Sequence, residues 1–393
     1  MDSRTGLPVV GMVGGGQLAR MTHQAAISLG QSLWVLAADE NDSAGLVAGQ
    51  VTIGHHTDFE ALLAFAKTVD VLTFDHEHVP AEHLIRLAAE GFSVRPGPDA
   101  LVFAQNKLLM RERLAAEGYP CPPFAEVSTV EDVVAFAAGQ SWPVVLKAAK
   151  GGYDGRGVWM LDSEQEARTL VPELLAAGTE LLVERRVEMR RELCALVARS
   201  PFGQGAAWPV VETVQSDGIN TEVLAPAPGL TARRVDEAQD LALRIAEALG
   251  VVGVLAVELF ETDGGLVINE LAMRPHNSGH WTMDGSRTSQ FEQHLRAVLD
   301  YPLGSTDLLA PTVMANVLGA PETPKMGPDE RLHHLFARFP EARVHLYGKG
   351  ERPGRKLGHV NFVGSDMDEL RTRAKLAAHW LSHAEWLDGF QIH

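Results

Sequence analysis

The chain has 393 residues, 46% of them hydrophobic and 22% charged, which is typical of a soluble globular protein with two or three domains. A formal net charge of −17 argues against a general nucleic-acid or anionic-membrane surface, so any phosphate site must be a local pocket. Cys121 and Cys194 form neither a disulfide framework nor a zinc spacing, and no apolar run reaches about 18 residues, so we expect a cytoplasmic protein without a membrane span.

The first hundred residues alternate predicted strands and helices. A buried strand leads to a glycine turn, and an amphipathic helix then ends at Gly30. Three further strands and two helices follow before residue 98. This βαβ rhythm predicts a parallel sheet with a ligand-binding edge at the carboxyl ends of its strands.

The first glycine turn matches a dinucleotide fingerprint. Gly14, Gly16 and Ala19 have the spacing, and Asp39 lies near the position that binds an adenosine ribose. Alone, this pattern favours an NAD-dependent dehydrogenase. Glycines at such a turn also serve any phosphate at a helix N-terminus, or simply the packing of helix on strand.

The segment KAAKGGYDGRGVWML, from Lys147 to Leu161, predicts a strand, a glycine-rich loop and a second strand. It lacks the Gly-Lys-Ser/Thr ending of a Walker loop. We interpret it as a mobile hairpin flap whose amides wrap phosphate oxygens, with Lys147 held on the incoming strand. An ordinary glycine-rich turn is the alternative.

A predicted strand ends at Glu184, and the next begins near Glu192 after a short polar connector. The backbone groups of such a connector suit the edge of an adenine ring, and a carboxylate there can accept from ribose hydroxyls. By itself, the segment also fits a solvated charged turn.

The segment VGVLAVELFETDGGLVINELA predicts a β-hairpin. If its loop is Asp263 to Gly265, Glu258 stands directly opposite Glu270, and the two carboxylates repel each other unless a cation lies between them. Oxygen ligands without Cys or His favour Mg²⁺. A two-residue loop would place Glu258 beside Asn269 instead.

Two later segments predict polar loops. His276 and His280 are four residues apart, but Pro275 and Gly279 argue against a zinc-binding helix and favour a substrate loop. Near the C-terminus, basic residues gather in a proline- and glycine-rich loop that suits a phosphate monoester: Lys349, Arg352, Arg355 and Lys356.

Together these segments resemble the ATP-grasp superfamily and, within it, the 5-(carboxyamino)imidazole ribonucleotide synthetases of bacterial purine biosynthesis. The matching motifs occur in the family's order across nearly the whole chain: GGGQLARM, NKLLMRERL, KGGYDGRG, NELAMRPHNSGHW, TSQFEQHLRA and RPGRKLGH. The resemblance implies an ATP-grasp fold that combines α/β and α+β parts. Its expected domains are a Rossmann-like pre-ATP-grasp domain (1–107), an ATP-grasp domain (108–310, with a mobile flap subdomain at about 122–184) and a small domain for the substrate phosphate (311–393).

The resemblance also implies the reaction. The expected enzyme is an ATP-dependent carbon–nitrogen ligase that carboxylates 5-aminoimidazole ribonucleotide with bicarbonate, through carboxyphosphate, in purine biosynthesis. It implies Mg²⁺, with Mn²⁺ as an alternative, and ATP as co-substrate. The family further implies a homodimer and a transient hand-off of product to the mutase that follows.

Carried over by position, the resemblance implies four groups of site residues. The catalytic group is Lys147, Tyr153, Arg156 and Arg274. The nucleotide group is Lys107, Lys147, Gly152, Tyr153, Asp154, Gly155, Arg156, Gly157, Val158, Glu184, Arg185, Arg186, Val187, Glu192, Gln215, Asn269 and Glu270. The ribonucleotide group is Gly16, Gln17, Leu18, Glu77, Arg274, Ser278, Lys349, Arg355 and Lys356. The metal ligands are Glu258 and Glu270.

Three positions depart from the family pattern. Gln215 replaces a usual histidine, Asp75 a usual glutamate, and Met273 a commoner proline. Another ATP-grasp ligase remains an alternative that RPGRKLGH argues against, and a dehydrogenase would leave the Glu258/Glu270 hairpin unexplained. A non-catalytic nucleotide-binding regulator is suggested by Gln215, although both metal-facing carboxylates are retained.

Overall fold

The computed structural model describes residues 1–152 and 155–391. Tyr153 and Asp154, both predicted to belong to the flap, therefore lie outside the described residues. Among the residues described, no helix is both long and apolar enough to cross a bilayer.

The N-terminal part is built around a parallel four-stranded sheet with the strand order β3-β2-β1-β4. Its elements are β1 (Val9–Val13), α1 (Gln17–Leu29), β2 (Ser32–Ala37), β3 (Val51–Ile53), α2 (Phe59–Ala66), β4 (Val71–Phe74), α3 (Ala81–Ala89), α4 (Pro98–Gln105) and α5 (Lys107–Ala116). The predicted parallel sheet and the helix end at Gly30 are confirmed, since Gly30 has a left-handed φ of 68°.

Two details of this sheet differ from the sequence prediction. The short strand β3 was not predicted; only its last residue is more than half exposed, and it pairs with β2 at the sheet edge. The strand predicted around Val94 is a single bridge to Leu72, because Pro96 soon follows and cannot donate to a ladder.

A second, antiparallel sheet carries the glycine-rich segment. Its strand order is β5-β8-β6-β7, with α6 and α7 packed on the sheet's apolar core. The elements are β5 (Phe124–Val127), α6 (Val130–Gln140), β6 (Val144–Ala148), β7 (Val158–Leu161), α7 (Glu164–Ala176) and β8 (Leu181–Arg185). The pairing of Lys147 with Val158 confirms the predicted hairpin.

The third sheet has nine strands and spans the rest of the chain. Its path is β14-β13-β9-β11-β12-β15-β17-β16, with β10 on β9. The elements are β9 (Arg191–Arg199), β10 (Gly205–Ala207), β11 (Val211–Ser216), β12 (Ile219–Ala225), α8 (Ala232–Ala248), β13 (Gly253–Thr262), β14 (Gly265–Ala272), α9 (Thr282–Gly285), α10 (Gln290–Val298), β15 (Thr312–Leu318), α11 (Pro328–Arg338), β16 (Arg343–Leu346), β17 (Lys356–Val363) and α12 (Met367–His383). The C-terminal strands thus continue the sheet of the central part.

The β13–β14 hairpin corrects one step of the sequence argument. Thr262 pairs with Gly265, so the loop has two residues and not the three that were predicted. That loop alone would set Glu258 opposite Asn269. A β-bulge shifts the register between Glu258 and Leu259, however, and Glu258 pairs with Glu270 after all.

Candidate active site

Two cavities open between these sheets and meet at the β13–β14 hairpin. The first has a volume of about 350 Å³ and reaches the glycine turn after β1, while the second has about 970 Å³ and lies under the glycine-rich hairpin. Six residues line both cavities: Lys107, Glu258, Glu270, His276, Asn277 and Lys356. A group transferred from one cavity to the other must pass these residues.

The two glutamates of the hairpin face each other at this junction. Burial and the neighbouring Glu270 raise the pKa of Glu258 to about 7. Lys107 Nζ lies 2.6 Å from Glu270 Oε1, so an ammonium compensates part of the negative charge. Asn269 Nδ2 donates to Glu258 Oε2 at 3.2 Å. The pair therefore forms a half-buried anionic site that favours a cation.

A buried ion-pair network supports the floor of the larger cavity. Glu184 lies between two cations, with Arg111 Nε 2.6 Å from Oε1 and Lys147 Nζ 2.7 Å from Oε2. These cations lower the pKa of Glu184 even though burial opposes the shift. Both oxygens of Glu184 are therefore engaged, and the residue anchors Lys147 on β6.

Arg111 is a site residue that sequence reasoning missed. It is 0% exposed on α5, and its terminal NH2 also donates to the carbonyl oxygen of Asn269 at 2.7 Å. A single guanidinium thus ties the strand end at Glu184 to the bulge of the hairpin. The available signal was the arginine in NKLLMRERL, although its burial depends on two distant strands.

The connector after β8 forms one wall of the larger cavity. Burial raises the pKa of Glu192, and the neighbouring Gln215 opposes this shift. Apolar contacts come from Met160 and Phe260. The predicted nucleotide residues that line this cavity are Lys107, Lys147, Gly155, Val158, Glu184, Arg185, Arg186, Val187, Glu192, Gln215, Asn269 and Glu270.

The smaller cavity begins at the glycine turn. A Cβ on Gly16 would lie 2.4 Å from Asp75 Oδ2, so this glycine is needed for the approach of Asp75. Burial raises the pKa of Asp75. Asp39 instead lies exposed and accepts from Asn41. The glycines of the fingerprint are thus explained by packing around Asp75, and Asp39 lines neither of the two cavities.

The remaining ribonucleotide residues are divided between cavity and interior. Gln17, Leu18, Glu77, Arg274 and Lys356 line the smaller cavity, and Arg274 Nε lies 2.7 Å from Glu77 Oε2. Lys349 donates to Gln17. Ser278 departs from the expectation. Its hydroxyl is buried and lies 3.0 Å from Cys194 Sγ, because the loop turns it away from the cavity.

The loop after β14 forms a single 3₁₀ turn, Asn277–Gly279, as expected for a non-helical segment. It also carries His276, which was not among the predicted site residues. His276 Nε2 lies 3.5 Å from Glu258 Oε1, and burial lowers the pKa of His276 to about 3, so the ring stays neutral. The motif RPHNSGH was the available signal.

Comparisons with known proteins identify the family. Residues 7–105 match the ribonucleotide synthetase preATP-grasp domain, residues 112–291 the ATP-grasp domain, and residues 312–373 the phosphoribosylaminoimidazole carboxylase C-terminal domain. The N5-carboxyaminoimidazole ribonucleotide synthase of Mycobacterium tuberculosis is 64% identical over 98% of this chain and 90% of its own length. The chain belongs to the N5-carboxyaminoimidazole ribonucleotide synthase family. The resemblance and the ATP-grasp fold expected from the sequence are thereby confirmed.

Other members of the N5-carboxyaminoimidazole ribonucleotide synthase family agree. The Bacillus subtilis enzyme of that name is 36% identical over 92% of this chain and 93% of its own length. The Thermus thermophilus synthetase structure superposes with a TM-score of 0.85 at 36% identity, covering 96% of this chain and 99% of its own. The Aspergillus clavatus synthase, solved with ADP and 5-aminoimidazole ribonucleotide, has a TM-score of 0.84 at 32% identity and covers 95% of this chain and 98% of its own.

Proposed function

We propose that this protein carboxylates 5-aminoimidazole ribonucleotide with bicarbonate at the expense of ATP, which yields 5-(carboxyamino)imidazole ribonucleotide, ADP and phosphate. The observation that carries the proposal is the meeting of two cavities at one pair of glutamates. One cavity suits a nucleotide and the other a sugar phosphate, and a small activated group could pass between them. The Aspergillus clavatus relative, solved with ADP and 5-aminoimidazole ribonucleotide, supports this choice of nucleotide and sugar phosphate.

In the proposal, ATP occupies the larger cavity. Its phosphates extend toward Lys147 and Lys107, and its adenosine lies between the connector 185–188 and Glu192. Phosphoryl transfer requires mainly positioning and charge neutralisation. Two lysines supply charge, and the buried pairing of Lys147 with Glu184 keeps one of them in place.

The residues at the junction also suit a divalent cation. Glu258 and Glu270 offer only oxygen donors, and the pKa of Glu258 is raised first by burial and then by repulsion from Glu270, which a metal would relieve. No cluster of three or more His, Cys, Asp or Glu in the described parts of the chain could hold a metal alone. We therefore infer that the two glutamates hold Mg²⁺ or Mn²⁺ together with ATP phosphates, where the ion would neutralise phosphate charge.

The ribonucleotide occupies the smaller cavity in the proposal, with its phosphate between the Gln17 turn and the basic loop that holds Lys349, Arg355 and Lys356. Bicarbonate is a poor electrophile, because hydroxide is a bad leaving group. Its phosphorylation by ATP gives carboxyphosphate, which delivers CO₂ to the exocyclic amine. The amine loses one proton as the C–N bond forms, and phosphate leaves.

Carboxyphosphate would hydrolyse in water, so the junction must be covered during transfer. The hairpin between β6 and β7 is placed to do this, since Gly152 lines the smaller cavity and Gly155 the larger one. Arg156, Arg274 and Tyr153 are the residues we propose to act on the transferred group. Tyr153 and Asp154, which lie outside the described residues, stay in the proposal from the family resemblance alone.

The family resemblance also supports three further proposals: a homodimer, a cytoplasmic location, and a transient hand-off of product to the mutase that catalyses the next step. The dimer can be checked by light scattering on the purified chain. The hand-off can be checked by asking whether added mutase changes the lifetime of the product.

ADP release is the decisive assay, with ribonucleotide and bicarbonate each omitted in turn. We expect full turnover only with both. Glu270→Gln removes one charge at the junction and should abolish ATP turnover while the circular dichroism spectrum stays unchanged. If activity stays within about threefold of wild type, a factor under 1 kcal/mol in barrier, the metal assignment is wrong.

A further inference from the structure

Three asparagine side chains meet beside the junction of the two cavities. They come from separate elements: Asn220 from β12, Asn277 from the loop after β14, and Asn316 from β15. None of them has a role in the reaction as outlined above. Asn277 lines both cavities, so the edge of its amide that faces the junction affects any group held there.

Asn277 and Asn316 form a reciprocal amide pair. Asn316 Nδ2 donates to Asn277 Oδ1 at 2.7 Å, and Asn277 Nδ2 donates to Asn316 Oδ1 at 3.0 Å. If both amides turned over together, both bonds would form again. The pair alone therefore does not determine which edge of Asn277 faces the junction.

A backbone carbonyl fixes the orientation of the pair. Asn316 Nδ2 also donates to the carbonyl oxygen of Asn220 at 2.8 Å. Because a carbonyl oxygen only accepts, a reversed Asn316 would set two acceptors against each other in a place where the side chain is 5% exposed. Strand β15 of the C-terminal part thus determines the orientation of Asn277.

Asn220 adds a second constraint. Its Nδ2 donates to Asn277 Oδ1 at 3.0 Å, so this oxygen already accepts two hydrogen bonds. In this orientation Asn220 Oδ1 is buried and has no hydrogen-bond partner among the described residues. A buried acceptor without a donor is unfavourable. Asn277 Oδ1 thus accepts two hydrogen bonds, while Asn220 Oδ1 accepts none from the described residues.

Within the described parts of the chain, Asn277 Nδ2 donates to Asn316 alone, which leaves one amide hydrogen of Asn277 without an acceptor. We propose that this Nδ2–H donates to an oxygen of bicarbonate, and then of carboxyphosphate, at the junction. Asn316 acts as the positioning residue that keeps the donor edge of Asn277 available. The inference rests on the proposed function, and it fits the chemistry of the site because bicarbonate offers acceptor oxygens and Lys356 lines the same junction.

Two variants test the assignment. Their steady-state kinetics are measured with the concentration of each substrate varied in turn. Asn277→Asp replaces the donor by an acceptor, and Asn316→Leu releases the orientation of Asn277. Both should raise the KM for bicarbonate about tenfold or more, while the KM for ATP and for ribonucleotide changes less than about threefold. Asn277 is only half-buried, so the first variant keeps the test decisive if the second does not fold.

Asn361→Leu is the matched control. Asn361 is a buried asparagine on the adjacent strand β17 that donates to Asp284 Oδ2 at 2.7 Å and has no bond to Asn277. It should lower Tm without changing the bicarbonate KM. The positioning role is refuted if Asn316→Leu changes that KM no more than the control does. The role of Asn277 as a hydrogen-bond donor is refuted if Asn277→Asp leaves the KM for bicarbonate unchanged. A wild-type enzyme whose ADP release ignores bicarbonate would instead refute the proposed function.

Discussion

Arg111 offers a test of the network beneath the larger cavity. Substituting Arg111→Met keeps an aliphatic side chain of similar length but removes both charge-assisted bonds, to Glu184 Oε1 and to the carbonyl oxygen of Asn269. Glu184 is 3% exposed, so its carboxylate would stay buried and would keep Lys147 as its one ion-pair partner among the residues described. The variant should therefore lose stability as well as affinity for ATP.

The size of the effect follows from burial. Two charge-assisted hydrogen bonds are lost, each worth about 1.5–3 kcal/mol, so the free energy of unfolding should fall by about 3–5 kcal/mol. One kcal/mol shifts the Tm of a unit of about 150–250 residues by about 2–4 °C and that of a longer chain by less, so Tm should fall by roughly 5–10 °C. The KM for ATP should also rise, since Lys147 would be held more tightly by Glu184 and would be less available to phosphate.

The control lies two residues along the same helix. Arg113→Met removes a partly exposed arginine that pairs with Glu117 at i,i+4, a contact worth about 0.3–0.5 kcal/mol. Arg111→Met should have a clearly lower Tm and a clearly higher KM for ATP than Arg113→Met. A double variant with Glu184→Gln should be less stable still, because Lys147, which is 8% exposed, would lose its carboxylate partner. The reasoning is refuted if Arg111→Met unfolds within about 2 °C of Arg113→Met.

Three other predictions concern the smaller cavity and the flap. Burial and Arg355 lower the pKa of Lys349 to about 8, so the lysine loses its charge above that pH. The KM for ribonucleotide should therefore rise above pH 8 in the wild type. In Lys349→Arg, the same KM should stay constant up to about pH 9.5, because arginine keeps its charge. Arg355→Ala and Lys356→Ala should raise the ribonucleotide KM by about tenfold each; a change confined to the ATP KM would assign the loop to the nucleotide. Arg156→Ala should raise the ratio of phosphate released to ribonucleotide carboxylated, because carboxyphosphate escapes to water; an unchanged ratio would mean that this arginine does not retain the intermediate.

For the β13–β14 hairpin, the sequence predicted the pairing of the two glutamates but not the length of the loop. An assumed three-residue loop placed Glu258 opposite Glu270, and this pairing is confirmed although the loop length was wrong. The bulge that restored the pairing is stabilised by contacts from elsewhere: Arg111 donates to the Asn269 carbonyl, and Lys147 Nζ lies 3.4 Å from Asn269 Oδ1. Local pattern contains no information about such contacts, so the pairing was predicted correctly from an incorrect register.

Loop residues show the opposite case. The motif RPHNSGH predicted a polar loop, but its pattern could not tell which side chains face the cavity. His276 does, while Ser278 turns inward to Cys194. The single 3₁₀ turn determines which side chains face the cavity. Gln290 fixes the start of this turn, because its amide oxygen accepts from the N–H of His276 and its amide nitrogen donates to the carbonyl of His276. Family resemblance supplied the roles, and tertiary contacts determine the orientations.

The nine-stranded sheet has a consequence for how the chain can be divided. Family matches separate a central segment from a C-terminal one, yet β12 and β15 pair along four residues across that boundary, from Glu222–Ala315 to Ala225–Thr312. Ending the chain near residue 311 would expose an unpaired strand edge that includes Val223 and Leu224, both buried in the complete protein. Such an edge is a template for pairing with other chains. The C-terminal segment is thus also the cover that keeps the catalytic sheet from aggregating, and it could not be exchanged as an independent module.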